Sequence, residues 1–214
     1  MLAIQHLTCR KGSRTLFSDL SFRVGAGEVL HVRGDNGCGK TSLLRLLAGF
    51  ARPDAGTILR DDRPLDARHR QTLGWLGPQA ALKDDLTVLE NLRLQVSLAG
   101  CQPADTLLAS LLQAWELARQ AGLPARALSQ GQRKRLAFAA LEAMQRPLWL
   151  LDEPFNALDT RGCQQVWHAI STHAAAGGCV VMTHHAELPG QGMHVGQIVG
   201  DADRAFRAPR SEEH

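Results

Sequence analysis

The sequence contains no C-x-x-C pair, no apolar run long enough to cross a bilayer and no marked excess of charge of either sign. Five cysteines are present, Cys9, Cys38, Cys101, Cys163 and Cys179. An odd number at wide spacing argues against a disulfide framework or a zinc site and fits a reducing compartment. The longest apolar runs, such as "LWLL" and "CVVM", fall far short of the ~20 residues of a membrane helix. The stretch "MLAIQHLTCRKG" holds no hydrophobic region of signal-peptide length. The expectation is a cytosolic chain that reaches a membrane only by docking to something that spans it. The 24 Lys and Arg against 21 Asp and Glu give a net charge of +3. These basic residues are scattered, so no nucleic-acid partner is expected. Clusters such as "QRKR" read as a solvated face. What is there is 214 residues, 44% hydrophobic and 21% charged, the profile of one folded domain with at most a subdomain.

No repeat or low-complexity tract appears. Residues 1–33 read as short strands with turns: "LAIQHLT", "SFRV" and, after the turn at Gly25, "EVLHVR". "GKTSLLRLLAGF" reads as a helix ending near Gly49, "RPDAGTI" as a turn into a strand, and "TLGWLG" as another short strand. From about residue 85 to 145 the pattern is helical: "TVLENLRLQVSLAG", "DTLLASLLQAWELARQAG" and "QRKRLAFAALEAM". "PLWLLD" and "GCVVMT" are short continuous apolar runs, as buried parallel strands require. Between them "DTRGCQQVWHAISTHAAAGG" is a helix closed by glycines. The tail from about residue 193 is expected to add one or two edge strands and then fray. The sum is an α/β core with a helical insertion.

"GDNGCGKT", residues 34–41, matches G-x-x-x-x-G-K-[ST], follows a strand and opens a helix, the context the motif requires. Gly34, Gly37 and Gly39 let the backbone curl so that its N–H groups point at phosphate oxygens. The helix that follows adds its positive end. The expected nucleotide cradle is Gly34, Asp35, Asn36, Gly37, Cys38, Gly39, Lys40, Thr41 and Ser42. Lys40 places a cation on the β- and γ-phosphates, and Thr41 offers a hydroxyl to Mg²⁺.

"LWLLDEP" is an apolar strand ending in two carboxylates. Asp152 at the strand end suits Mg²⁺. Glu153, the next residue, can polarise a water for in-line attack on a γ-phosphate. His184 closes "CVVMTHH" and is placed to hydrogen-bond phosphate and water; no comparable argument attaches to His185. "ALSQGQRKRLAFA" on its own is a helix start, with Ser129 as cap and Gln132 three residues on as in a capping box.

Together, "GDNGCGKT", "LSQGQ" and "LLDEP" resemble the ABC-transporter ATPase family, and the resemblance covers nearly the whole chain. It implies a P-loop NTPase (RecA-like) α/β core with an antiparallel β subdomain and an inserted α-helical subdomain. On this chain the core would be residues 1–79 and 146–214 and the helical part 80–145. It also implies ATP and Mg²⁺ as ligands and a head-to-tail pair of identical subunits. Ser129, Gln130, Gly131 and Gln132 of one copy would cap the γ-phosphate held by the other. Gln79 in "LGPQAALKDDL" matches the glutamine that touches Mg²⁺ and the attacking water. Asp159 in "NALD" matches the aspartate at the dimer seam, His184 the switch histidine and Glu153 the base.

A narrower resemblance is to the haem-exporter ATP-binding subunits of cytochrome c maturation, the CcmA family. It rests on "TSLLRLLAGFARPDAG", "LKDDLTVLENL", "LPARALSQGQRKRLAFA", "PLWLLDEPFNALD" and "AAAGGCVVMTHH". It implies a peripheral subunit on the cytoplasmic face of the bacterial inner membrane, partnered by the integral membrane proteins CcmB, CcmC and CcmD. ATP hydrolysis there drives release of a haem-loaded chaperone. No direct haem binding is expected of this chain, whose histidines are scattered. Three positions depart from the family pattern. Gln130 replaces the second signature glycine, Asn156 replaces a serine, and "CRKGSR" stands where an adenine-stacking aromatic belongs. The chain has no tyrosine, so Arg10 or Lys11 is expected to cover the base.

Overall fold

The computed structural model describes residues 1–66 and 68–184, together with the backbone of 194–197. Two sheets organise it. An antiparallel sheet holds β1 (Leu2–Lys11), β2 (Arg14–Val24), β4 (Ala55–Arg60) and the two-residue β5 (Arg63–Pro64), in the order β2-β1-β4-β5. A parallel sheet holds β3 (Val29–Arg33), β6 (Leu73–Leu76), β7 (Leu148–Asp152), β8 (Cys179–Thr183) and β9 (His194–Gln197), in the order β6-β7-β8-β3-β9. The helices are α1 (Lys40–Leu47), α2 (Val88–Leu98), α3 (Asp105–Ala114), α4 (Gln130–Met144) and α5 (Thr160–Ala175).

The continuous apolar strands explain the layering. Successive side chains on a strand point to opposite faces. Leu148 and Leu150 of β7 and Cys179 and Val181 of β8 therefore join one apolar cluster, with α1 and residues of β1 and β2. Trp149, Leu151, Val180 and Met182 join the other, with residues of α2 to α5. Both faces of the parallel sheet are covered, as such sheets demand. Its strands share one direction, so the carboxyl ends of β3, β7 and β8 lie together. Ligands of open α/β sheets bind at that edge.

Several local expectations shift. β1 and β2 run well beyond "LAIQHLT" and "SFRV", pairing from Leu2 with Val24 to Lys11 with Arg14 through three register slips. His6 and Asp19 take φ of 52° and 54° at the irregularities. Gly56, φ 87°, lies against that bulge, and a Cβ there would sit 2.4 Å from the His6 carbonyl oxygen. α3 stops at Ala114, short of the predicted "WELARQAG". Trp115 turns inward there, stacks on Phe138 at 5.3 Å and donates from Nε1 to Glu142 Oε2 at 2.9 Å. Glu116 follows at φ 58°, which no helix accommodates. α4 begins at Gln130, two residues before the expected start. β9 supplies one expected edge strand, pairing parallel with β3. The rest of the tail and His185 lie outside the described residues.

Candidate functional site

The loop after β3 curls through three glycines, Gly34, Gly37 and Gly39, at φ 155°, 80° and 110°. Gly39 N-caps α1, and a Cβ there would crowd Leu16 and Phe17 at 3.1 Å. Lys40 begins the helix, is only 7% exposed, and donates from Nζ to the carbonyls of Gly34 at 2.8 Å and Asp35 at 3.1 Å. An ammonium has three protons, so the loop orients the cation while a donor remains for an anionic oxygen. The loop opens on a cavity of about 350 Å³ lined by Asn36, Gly37, Gly39, Lys40, Thr41 and Ser42, together with Asp152 and Glu153. Cys38 faces away, buried in the apolar cluster under α1. Asp35 contributes its carbonyl rather than its carboxylate.

Asp152 ends β7 and is 1% exposed. Its Oδ2 accepts from Thr41 Oγ1 and its Oδ1 from Thr183 Oγ1, each at 2.7 Å. A buried carboxylate satisfied on both oxygens is fixed in place. Thr183 also accepts the N–H of Glu153 at 3.0 Å. Glu153 has φ 49°, which turns the chain out of line with β7, and it lines the cavity. There Glu153 Oε2 lies 3.3 Å from Nδ1 of His184. Phe155 packs on the His184 ring at 5.1 Å, and His31 Nε2 lies 3.1 Å from the His184 carbonyl. Burial pushes the His31 imidazole below its usual range.

Three of these contacts escape sequence reasoning. Thr183, His31 and Lys134 each touch the Asp152–Glu153–His184 group from another element. The Lys134 ammonium, 6% exposed, donates to the Glu153 carbonyl at 3.3 Å. Its signal was available, since Lys134 is in phase with Phe138 and Leu141 on the buried face of α4.

The turn at residues 129–132 lies elsewhere. The capping box forms: Ser129 Oγ accepts from Gln132 N–H at 3.2 Å, and Ser129 N–H donates to Gln132 Oε1 at 2.9 Å. Ser129, Gln130, Gly131 and Gln132 line a second cavity of about 400 Å³ with Ala157 and Asp159, sharing no residue with the first. A Cβ on Gly131 would meet the Ala157 carbonyl at 2.9 Å. Asp159 caps α5, and the Gly162 N–H with Arg135 holds its carboxyl below the usual range. Gln79 is exposed, and its neighbour Pro78 lines the first cavity in its stead. Lys11 lines that cavity beside Leu16, whereas Arg10 does not and gives its main-chain N–H to Asp54 Oδ2 at 2.7 Å.

Residues 17–156 match the family model described as ABC transporter. The chain belongs to the ABC transporter ATP-binding family. A cytochrome c biogenesis ATP-binding export protein CcmA of Nitrosomonas europaea is 46% identical over 191 residues, spanning 88% of this chain and 90% of the relative. Its counterpart in Escherichia coli O157:H7 is 43% identical over 195 residues, with the same coverage. Among solved structures, a putative ABC transporter ATP-binding protein from Pyrococcus furiosus superposes with TM-score 0.83 at 21% identity, over 92% of this chain and 96% of that one. A dimeric bacterial ABC transporter cassette superposes with TM-score 0.82 at 22% identity, over 99% and 100%. These likenesses show the fold. The chain is an ABC-type ATPase, with ATP as its nucleotide. Among the described residues no helix is long and apolar enough to cross a membrane.

Proposed function

We propose that this ABC ATPase is the nucleotide-hydrolysing subunit of a membrane complex in cytochrome c biogenesis, of the haem-exporter type. Identity above 40% across most of the chain to proteins named for that process supports the assignment. The observation that carries the chemistry is the joined set Lys40, Thr41, Asp152 and Glu153 around one cavity.

The phosphates of ATP lie on the N–H groups of residues 34–42, with Lys40 on the β- and γ-oxygens. Thr41 and Asp152 offer hard oxygen donors already paired at 2.7 Å, and one carboxylate with one hydroxyl beside phosphates suits Mg²⁺. When bound, the ion neutralises charge on the phosphate oxygens. Glu153 takes the proton of the attacking water, and His184, beside it, fixes that water and the γ-phosphate. Little covalent chemistry is asked of the protein, so positioning and electrostatics carry the rate.

The 129–132 turn does not line its own nucleotide cavity, which supports completion of each site by a second copy. Ser129 and Gly131 of that copy present a hydroxyl, N–H groups and the positive end of α4 to the γ-phosphate. Asp159 lies at the seam. Residues 80–145 move as a helical unit hinged near Gln79, whose side chain would help hold the ion and the water in the closed pair. They carry closure to integral membrane subunits of the CcmB, CcmC and CcmD kind, at the cytoplasmic face of the inner membrane.

A gentle-detergent pull-down of the tagged chain from native membranes, with ATP hydrolysis assayed beside a Glu153→Gln control, tests the proposal. The expected result is cytochrome c maturation membrane proteins and an inactive control. Other membrane subunits would overturn the haem role and leave the ATPase; an active control would remove Glu153 as the base.

A further inference from the structure

Three consecutive cations follow the 129–132 turn, and only the middle one turns inward. Arg133 pairs with Asp84 at 2.7 Å, and Arg135 pairs with Glu116 at 2.7 Å and Asp159 at 3.3 Å. Lys134 instead buries its ammonium beneath the catalytic carboxylates, donating to the Glu153 main-chain carbonyl at 3.3 Å. Burying a lysine is unfavourable unless the charge finds partners, and a methionine would fill the same helix face without that cost. The negative charges that act on Lys134 are Asp152 and Glu153, and burial pulls the ammonium below its usual range.

The contact falls on a demanding piece of backbone. Glu153 sits at φ 49°, a conformation that side-chain-bearing residues adopt only when neighbours over-determine it. Its N–H is accepted by Thr183 of β8, and its carbonyl accepts both from Lys134 of α4 and, at 3.3 Å, from the Asn156 N–H in the turn that follows; of these, Lys134 is the tie to α4. Lys134 lies five residues along α4 from Ser129, about 7.5 Å at the helical rise.

We propose that Lys134 is a positioning residue for the Glu153 carboxylate. It ties the Glu153 main chain to the helix that begins with the 129–132 turn. The seating of that helix, whose first turn serves the partner's nucleotide, is thereby felt at the subunit's own base. The inference rests on the reading of Glu153 as base.

The test compares Lys134→Met, which removes the donor, with Lys134→Gln, which keeps an N–H donor of shorter reach. The full chain is assayed in excess over ATP, so that one hydrolysis event per site is timed. ATP affinity is measured separately with a fluorescent nucleotide. Lys134→Met is expected to slow hydrolysis on the order of 10- to 100-fold with ATP affinity unchanged, and Lys134→Gln to recover most of the rate. A wild-type rate in Lys134→Met overturns the inference, as does parallel loss of rate and affinity in both variants, which marks a packing role. Should Lys134→Met fail to fold, Lys134→Gln decides alone: a near wild-type rate supports positioning and a rate as low as Glu153→Gln overturns it. Retained turnover in Glu153→Gln overturns the base assignment and this inference together. An inactive Glu153→Gln beside a fully active Lys134→Met overturns this inference only.

Discussion

Replacing Thr183 with valine removes one hydroxyl and little volume, and that hydroxyl serves two groups. It donates to Asp152 Oδ1 at 2.7 Å and accepts the Glu153 N–H at 3.0 Å, in a residue with no exposed surface. A hydrogen bond to a buried charged group is worth about 1.5–3 kcal/mol, and an orphaned donor costs about 1–3 kcal/mol. The first loss is partial, because Asp152 keeps its bond from Thr41, whereas the Glu153 N–H loses its Thr183 acceptor. A net destabilisation of about 3 kcal/mol is expected. For a chain of this length that lowers Tm by roughly 6–12 °C. Thr183→Ser keeps the hydroxyl and should lose only about 1 kcal/mol, the worth of a buried methyl. Thermal unfolding of both variants, with ATP turnover alongside, reads the difference. Thr183→Val should turn over ATP about tenfold more slowly, since Glu153 is no longer held from β8. A valine variant as stable and active as the serine variant would refute the view that Thr183 sets the two carboxylates.

Lys40→Ala should abolish hydrolysis and weaken ATP binding, read by turnover and by fluorescent-nucleotide titration; wild-type binding would remove Lys40 from the phosphate site. Gly56→Ala should cost about 2–4 kcal/mol, since a Cβ would strike the His6 carbonyl at positive φ; chemical denaturation checks it. Burial lowers the affinity of His31, His69 and His173 for protons in the folded state. The unfolded chain therefore binds more protons below the ordinary histidine value of about 6.5. Stability should be full above that pH and decline as pH falls below it. Urea unfolding between neutral and mildly acidic pH shows this; a flat profile would contradict it. The Cys179 thiol, pushed up to about 11 by burial, should resist alkylation in the native chain and react freely once unfolded.

The curled loop after β3 was legible in the sequence because its backbone demands glycine, and Gly37 and Gly39 do stand at positive φ. The parallel strands were legible because both faces are buried, leaving runs such as "LWLLD" with no polar alternation. The contacts of Thr183 and Lys134 were not, because their partners lie 31 and 19 residues away; the helix phase marks Lys134 as inward-facing but does not say what it meets. The end of α3 was hidden for a different reason. "WELARQAG" is composed of good helix formers, and the inward turn of Trp115 overrides them. Gln79 is exposed in the single chain, and Pro78 beside it lines the cavity.

If each nucleotide site is completed by a second copy, ATP held unhydrolysed brings two chains together. The most direct measurement is the solution mass of the Glu153→Gln chain with and without ATP, by light scattering on a sizing column. The expected result is a 23.3 kDa monomer that doubles with ATP and stays doubled, and that reverts when Ser129 and Gly131 are also replaced. A chain that binds ATP and remains monomeric would contradict completion by a second copy.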